Sequence, residues 1–342
     1  MGSLDAVAKE YMSRNDRFAD AFNFFIYDGE QVIKPELLKE LDPTEISVPF
    51  GDMPESSAEN GTKKNRKNEK PVQMYRDLLK SWKIMSDDKA IYVLLGAELQ
   101  GKVNYAMPVR NLLYDAMNYS EQVKSASQKN RKNADRKLQS AEFLSGFKKE
   151  DRLMPVITLT IYFGADEWDG PKALHEMFGE DHEKFMKYIP DYTLNLIEPH
   201  GIKPEDFPKF RSKLGEVLEY IKYSNDAKKL DEAVRNNEGF RSVDIDTVRL
   251  INEATHWKFE VEEEKEDYDM CKALLDMQKN HEKIGEERGR IEGIREGRLE
   301  GKIEGKLELL VNLVNDEIIT CSEAAKRAGM SKEEFMEKYL KK

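Results

Sequence analysis

Glu98, Gln100 and Lys102 fall at alternate positions where the apolar run AIYVLLGAEL ends, and Asp77 lies 21 residues before Glu98. Read as a strand, the run sends successive side chains to opposite faces, so Glu98, Gln100 and Lys102 share one face. A carboxylate at the end of a buried strand needs a compensating partner, because an isolated buried charge is expensive. A hard divalent cation is one such partner. The segment carrying Asp77 joins the strand through a turn near Ser86, and a hairpin brings Asp77 toward Glu98. Two carboxylates with a polar or basic neighbour suit Mg²⁺ (or Mn²⁺), which lowers the pKa of a bound water and neutralises a phosphate. Spacing alone leaves a plainer reading open, with Asp77 of YRDLLK a surface residue paired to Arg76 or Lys80.

Other chemistries find little support. The histidines at 175, 182, 200, 256 and 281 show no HExxH spacing, and neither GxxxxGK[ST] nor GxSxG occurs. Cys271 and Cys321 are far apart and form no metal-like or disulfide framework. Asp166, Glu167 and Asp169 follow a strand end and offer a weaker cation site, with an ordinary acidic turn around Trp168 as the alternative. The chain has 55 Lys+Arg against 66 Asp+Glu, a net charge of −11. That excludes a protein basic throughout, though not local basic patches. No run reaches the roughly 20 apolar residues of a membrane span. The first residues carry no apolar signal core. A cytoplasmic protein without membrane attachment is the expectation.

The elements that would hold these residues alternate between helix and strand. Phe18, Ala21, Phe22 and Phe25 place a helix over roughly Glu10 to Asp28. A weak strand follows at Ile46 to Val48, then a polar stretch at 51–70 that reads as a spacer. VQMYRDLLKSWKIM suits a strand or a short helix, AIYVLLGAEL a buried strand, and PVITLTIYFG a second one. Between the two lies a helical period from Tyr105 to about Lys149, and Asp169-Gly170-Pro171 turns into a short helix ending near Phe178. This is an α/β pattern. From Pro204 to Asn280 the chain reads as mostly helical, with the acidic run from Phe259 to Asp269 as a solvated helix face.

Basic residues cluster in two places, in KKNRK at Lys63 to Lys67 and along the predicted helix at Lys124, Lys129, Arg131, Lys132, Arg136 and Lys137. They suit DNA phosphates, or else form a solvated face. Farther on, Gly285, Gly289, Gly293, Gly297, Gly301 and Gly305 lie four apart. Each costs a helix about 1 kcal/mol relative to Ala, so the repeat marks either an assembly helix or a tether. The last residues predict a helix burying Leu309, Leu310, Leu313 and Val314. Two short helices then follow, capped by Ser322 and Ser331 and joined at Gly329, in helix-turn-helix outline.

The runs YRDLLK, IYVLLGAELQGKVNYAMPVRNLLYDAMNYSEQV and MPVITLTIYFGADEWDGPKALHEM resemble the Rpn-like recombination-promoting nucleases, also described as transposases, of the PD-(D/E)XK phosphodiesterase superfamily. RFADAFNFFIYDGEQVIKPELL, DYTLNLIEP and the glycine-spaced tail resemble the same bacterial group. The resemblance implies an α/β fold with a restriction-endonuclease-like core of helix, three strands, helix and strand, followed by a helical C-terminal region. It implies a core at 1–198 with a polar insert at 51–70, a helical extension at 199–280, a charged helix or tether at 281–306 and a small helical module at 307–342. The family's aspartate falls on Asp77 and its acid-x-lysine signature on Glu98-Leu99-Gln100, with Gln where the superfamily usually has Lys. An acid of the first helix, Asp20 or Asp16, would assist the metal, and Lys102 would compensate for Gln100. The implied activity is Mg²⁺-dependent DNA cleavage in recombination or element mobility. Apart from the resemblance, a C-terminal module of about 36 residues is near the size below which domains seldom fold alone, so self-association through the C-terminal helices is expected. The rival reading is a non-catalytic DNA-binding or scaffold protein that keeps the nuclease fold.

Overall fold

The computed structural model describes residues 3–41, 44–47, 72–86, 89–132, 140–262 and 267–340. The chain forms two compact units, Met1–Ala273 and Leu274–Lys342. The first is α/β.

Its N-terminal part is two helices, α1 (Ser3–Ser13) and α2 (Asn15–Tyr27), where the apolar spacing predicted one from Glu10. α2 ends at Asp28, in the left-handed region at φ 52°. Strands β1 (Leu38–Glu40), β2 (Thr44–Ser47), β3 (Val72–Tyr75), β4 (Leu78–Ser86) and β5 (Lys89–Gln100) follow. The polar stretch at 51–70, with its KKNRK run, lies outside the described residues. Next come α3 (Met107–Lys132), α4 (Ser140–Ser145), β6 (Val156–Tyr162), the single turn α5 (Glu183–Met186) and β7 (Asn195–Ile197). The helix expected to end near Phe178 is one 3₁₀ turn, His175–Met177.

Five strands make a mixed sheet in the order β1-β4-β5-β6-β7. β1, β4 and β5 pair antiparallel, and β5, β6 and β7 pair parallel. A parallel pair needs a long crossover, and α3 with α4 supplies it between β5 and β6. β5 is central and buried on both sides, which is why its sequence is nearly all apolar.

The two faces of the sheet are covered differently. On one, Lys80 is buried and donates to Ser13 O (2.5 Å) and Asn15 Oδ1 (2.6 Å), which ties β4 to the junction of α1 and α2. Trp82 meets Tyr27 edge to face on that side. On the other, α3 turns a polar stripe to the sheet. Asn111 Nδ2 donates to Thr160 Oγ1 (2.9 Å), Thr158 Oγ1 to Asp115 Oδ1 (2.5 Å), and the Val156 amide to Tyr119 Oη (3.2 Å). Buried polar groups require partners, so the threonines of β6 and the polar stripe of α3 specify each other.

The rest of this unit is α6 (Leu214–Tyr223), α7 (Ala227–Asn236), β8 (Val243–Asp244), α8 (Ile245–Ala254) and β9 (Asp267–Tyr268). Arg17, 1% exposed, binds Asp244 Oδ2 at 2.5 Å and lies 3.7 Å from the Tyr11 ring centre, which fastens α1 and α2 to the start of α8. The acidic run Phe259 to Asp269 is not a helix over its described part. Residues 259–262 are irregular, 267–268 pair with β8, and Phe259 and Tyr268 are buried. Those two aromatic anchors override the charge pattern.

Helix α9 (Met270–Asn315) carries the glycine repeat without a break. A Cβ at Gly289, Gly293, Gly297, Gly301 or Gly305 would meet nothing within 4 Å. α10 (Cys321–Ala328) is capped by Thr320 rather than Ser322, and α11 (Lys332–Phe335) by Ser331 as expected. Gly329 makes the turn at φ 76°. Leu310, Ala324, Ala325 and Phe335 form this unit's core, while Leu309, expected inside, is exposed.

Gly96 shows how tightly the α3 side of the sheet is packed. A Cβ there would lie 2.1 Å from Arg76 Nη1 and 2.8 Å from its Cδ, so Arg76 crosses β5 over a bare position. Gly96→Ala should cost about 1–3 kcal/mol through this overpacking, read as a lower urea midpoint. An unchanged midpoint would contradict the close approach.

Candidate active site

The β4–β5 register pairs Leu78 with Ala97, so the next pair outward sets Asp77 opposite Glu98. The Leu99 amide donates to Asp77 Oδ2 at 2.9 Å and fixes that carboxylate against the end of β5. Asp77 is 7% exposed and Glu98 0%. Glu98 also pairs with Thr160 of β6, deep in the sheet. The surface-residue reading of Asp77 is therefore excluded by its burial, and Arg76 and Lys80 bind elsewhere.

Glu98 has both oxygens buried, with the Asp77 amide close enough to favour its charged form. Its charged neighbour is Arg110 of α3, with Nη2 3.1 Å from Oε2. Burial first, and then the charge of Asp77, pushes the Glu98 carboxyl up to about 8, although Arg110 and Arg76 pull it back. Burial also raises Asp77, with Asp5 adding to the rise, while the Leu99 amide, Arg110 and Lys9 oppose it. The pair is short of positive charge. A hard cation fits that shortage, because Mg²⁺ keeps several waters and is commonly held by one or two carboxylates. Among the described residues no group of three or more His, Cys, Asp and Glu side chains is placed to hold a metal.

The remaining expected residues divide. Gln100 is half-buried at the end of β5, and its Nε2 donates to Leu99 O at 3.1 Å. Lys102 is exposed beyond the strand, which stops at Gln100, so the alternation expected to align it with Glu98 ends too early. Asp20 is not brought to the pair. Its carboxylate accepts from the amides of Arg211 and Ser212 and from Ser212 Oγ, at 2.6–3.0 Å, and anchors the entry to α6. Asp16 instead pairs with Arg14 at 2.9 Å. The first-helix acid that the fold does bring to the site is Asp5, whose Oδ1 accepts from the Gly101 amide at 3.0 Å. The sequence showed helical spacing only from Glu10 onward, so Asp5 had no signal. Arg110 stood within MPVRNLLYD, where its spacing to Tyr114 marks one helix face and nothing more.

A cleft of about 920 Å³ opens beside Gln100 and Asp5. Asp166, Glu167, Asp169 and Glu253 also line it, with Lys102 on its wall. Asp169 accepts from Tyr105 Oη at 2.8 Å, so the acidic turn has a structural tie of its own. Of the basic cluster, Lys129, Arg131 and Lys132 are exposed in the last turn of α3, and Lys124 lies 3.4 Å from Glu121. Arg136 and Lys137 lie outside the described residues. Cations in a helix's last turn also complement its dipole, which gives this cluster a structural reason beside any binding role.

Compared with known proteins, the chain matches no family model, no curated protein and no solved structure.

The raised Glu98 carboxyl has a measurable consequence. Between about pH 4.5 and 8 the unfolded chain releases this proton while the folded chain keeps it. The folded state binds more protons across that window, so without divalent cations Glu98 subtracts stability progressively as pH rises, and no further above it. Glu98→Gln should match the parent near pH 4 and exceed it at pH 8 by about 3–5 kcal/mol. Urea unfolding in chelator at both pH values measures this. A difference that does not change with pH would contradict the burial of the charge.

Proposed function

We propose that this chain is a Mg²⁺-dependent DNA endonuclease with a PD-(D/E)XK type of site, and that it acts in recombination or element mobility. The observation that carries the reading is the buried Asp77–Glu98 pair, set across two strands and short of positive charge. The order of helix, strands, helix and strand around the pair supports it, as does Gln100 two residues beyond Glu98. A bound Mg²⁺ supplies a water of lowered pKa and charge compensation for the phosphate. Asp77 and Glu98 hold the cation, and the low-dielectric wall of the sheet strengthens their field. Gln100 orients the attacking water through its amide and carries no charge. Lys129, Arg131 and Lys132 offer contacts to the DNA backbone, outside the acidic cleft.

The same cleft repels phosphate and so gives weight to the rival reading, a fold that does not cut. Five carboxylates line it, Asp5 included, against one lysine. Plasmid nicking with Mg²⁺ or Mn²⁺ decides between the two. The parent should nick, and Asp77→Ala and Glu98→Ala should each lose at least ~100-fold. Variants that cut as well as the parent would overturn the site, and DNA binding by the parent without cleavage under either metal would favour the rival.

Self-association fits the pattern of α9. GRIE-GIRE-GRLE-GKIE-GKLE, residues 289–308, sorts glycine, basic, apolar and acidic positions into four rows, with Ile294 and Arg295 exchanged. At ~100° per residue the basic and acidic rows flank the apolar row on opposite sides. Two parallel copies facing through their apolar rows set glutamates against basic residues. An antiparallel two-fold pair sets like against like. Ile291, Leu299 and Ile303 on that row are 53–61% exposed. Removing residues 281–342 should leave nicking intact and reduce the number of copies per particle in solution. An unchanged stoichiometry would contradict the pairing.

A further inference from the structure

Gln100 leaves the site without the charged group that a lysine there would supply, and Lys102 is placed beyond the strand. Two cations press on the carboxylate pair from other elements. Arg76 is fully buried, lies across Gly96 and binds Asp115 at 3.3 Å. Arg110 is different. Its side chain is one-third exposed, Nη2 reaches Glu98 Oε2 at 3.1 Å, and Nε donates to Tyr114 Oη at 3.2 Å. The guanidinium carbon lies 5.6 Å from the Tyr114 ring centre. Its third nitrogen, Nη1, has no partner among the described residues. Its charge acts on Asp77 as well as on Glu98.

We infer that Arg110 binds a non-bridging phosphate oxygen of the strand being cut, in the electrostatic role that Gln100 cannot fill. A guanidinium presents five donors in a rigid fork that matches phosphate oxygens. Here two nitrogens hold the group in place, while the side chain as a whole stays one-third exposed. In hydrolysis the water oxygen bonds to phosphorus, the bridging P–O bond breaks, the departing oxygen gains a proton, and the water's proton leaves to solvent. Arg110 changes none of these bonds. It offsets negative charge on the phosphate oxygens, and a preorganised charge of this kind acts without reorganising during the reaction. α3 thus supplies from the helix side what a lysine at 100 would supply from the strand.

The inference rests on the nuclease reading above, and the test separates the two. Full-length parent, Arg110→Met and Arg110→Lys are compared in three measurements: plasmid nicking at saturating Mg²⁺, affinity for a short duplex in chelator across a salt series, and urea midpoint. Arg110→Met should nick roughly 100-fold more slowly, and Arg110→Lys should recover part of that loss. The log–log salt slope of Arg110→Met should be shallower by about 0.9, the value of one phosphate contact on duplex DNA. Parent-like nicking by a folded Arg110→Met overturns the inference. So does lost nicking with an unchanged salt slope, which marks Arg110 as structural support for Glu98. If Arg110→Met does not fold, Arg110→Lys with neither slower nicking nor altered affinity overturns it. A parent that never nicks defeats the nuclease reading, while the salt slope still decides whether Arg110 touches phosphate.

Discussion

Much of the first unit is arranged around a carboxylate that water does not reach. Glu98, two residues before the end of the central strand, has no exposed surface and faces a second acid, Asp77, across the hairpin. Removing charges from water costs several kcal/mol each unless they are compensated, so the surroundings have to answer them. α3 turns Arg110, Asn111 and Asp115 toward the sheet where an ordinary packing helix would turn leucines. Gly96 is bare because Arg76 crosses there to reach Asp115. Asp115 also accepts from Tyr192 Oη at 2.7 Å, which ties the segment before β7 into the same network. Arg110 stands 3.1 Å from Glu98 Oε2, yet burial and the charge of Asp77 still raise the Glu98 carboxyl. Under the proposed function, a bound cation relieves this condition.

Period and alternation made the core elements readable. β5 and β6 stood out as apolar runs, and the two-residue step from Glu98 to Gln100 placed both on one face before any fold was known. The pairing of Asp77 with Glu98 followed from a hairpin guess, and the register bears it out. What pattern reading missed was supplied by chain-distant partners. Asp20 sits on a well-marked helix, but its carboxylate is spent on amides 191 and 192 residues away. No local rule announces such a bond. Asp5 and Arg110 reach the site through the packing of α1 and α3 on the sheet, which sequence spacing does not encode. Lys102 failed for a simpler reason, since alternation holds only while the strand lasts. The acidic run after Phe259 has a helix-like charge pattern, but its two buried aromatics, Phe259 and Tyr268, set its path.

The C-terminal unit obeys a different rule. A four-residue repeat does not match the 3.6-residue turn, so each row winds by ~40° per step around a straight helix, and two copies meeting through that row would have to wind about each other. Ile291, Ile294, Leu299 and Ile303 are exposed along α9, while Leu310 is buried among α10 and α11. Gly289, Gly293, Gly297, Gly301 and Gly305 pack against nothing among the described residues. The small core around Phe335 begins where the repeat gives way to LELLVNLV, with apolar residues close enough together to make one face.

The central claim is that the Asp77–Glu98 pair binds a divalent cation. The thermal midpoint of the intact protein, with and without excess Mn²⁺ and beside Glu98→Gln, tests it without depending on DNA or turnover. A ligand bound only by the folded state at a hundred times its dissociation constant adds about 2.7 kcal/mol. The account predicts a midpoint several degrees higher with Mn²⁺ in the parent and no such rise in Glu98→Gln. A parent midpoint indifferent to Mn²⁺, or an equal rise in both proteins, would contradict it.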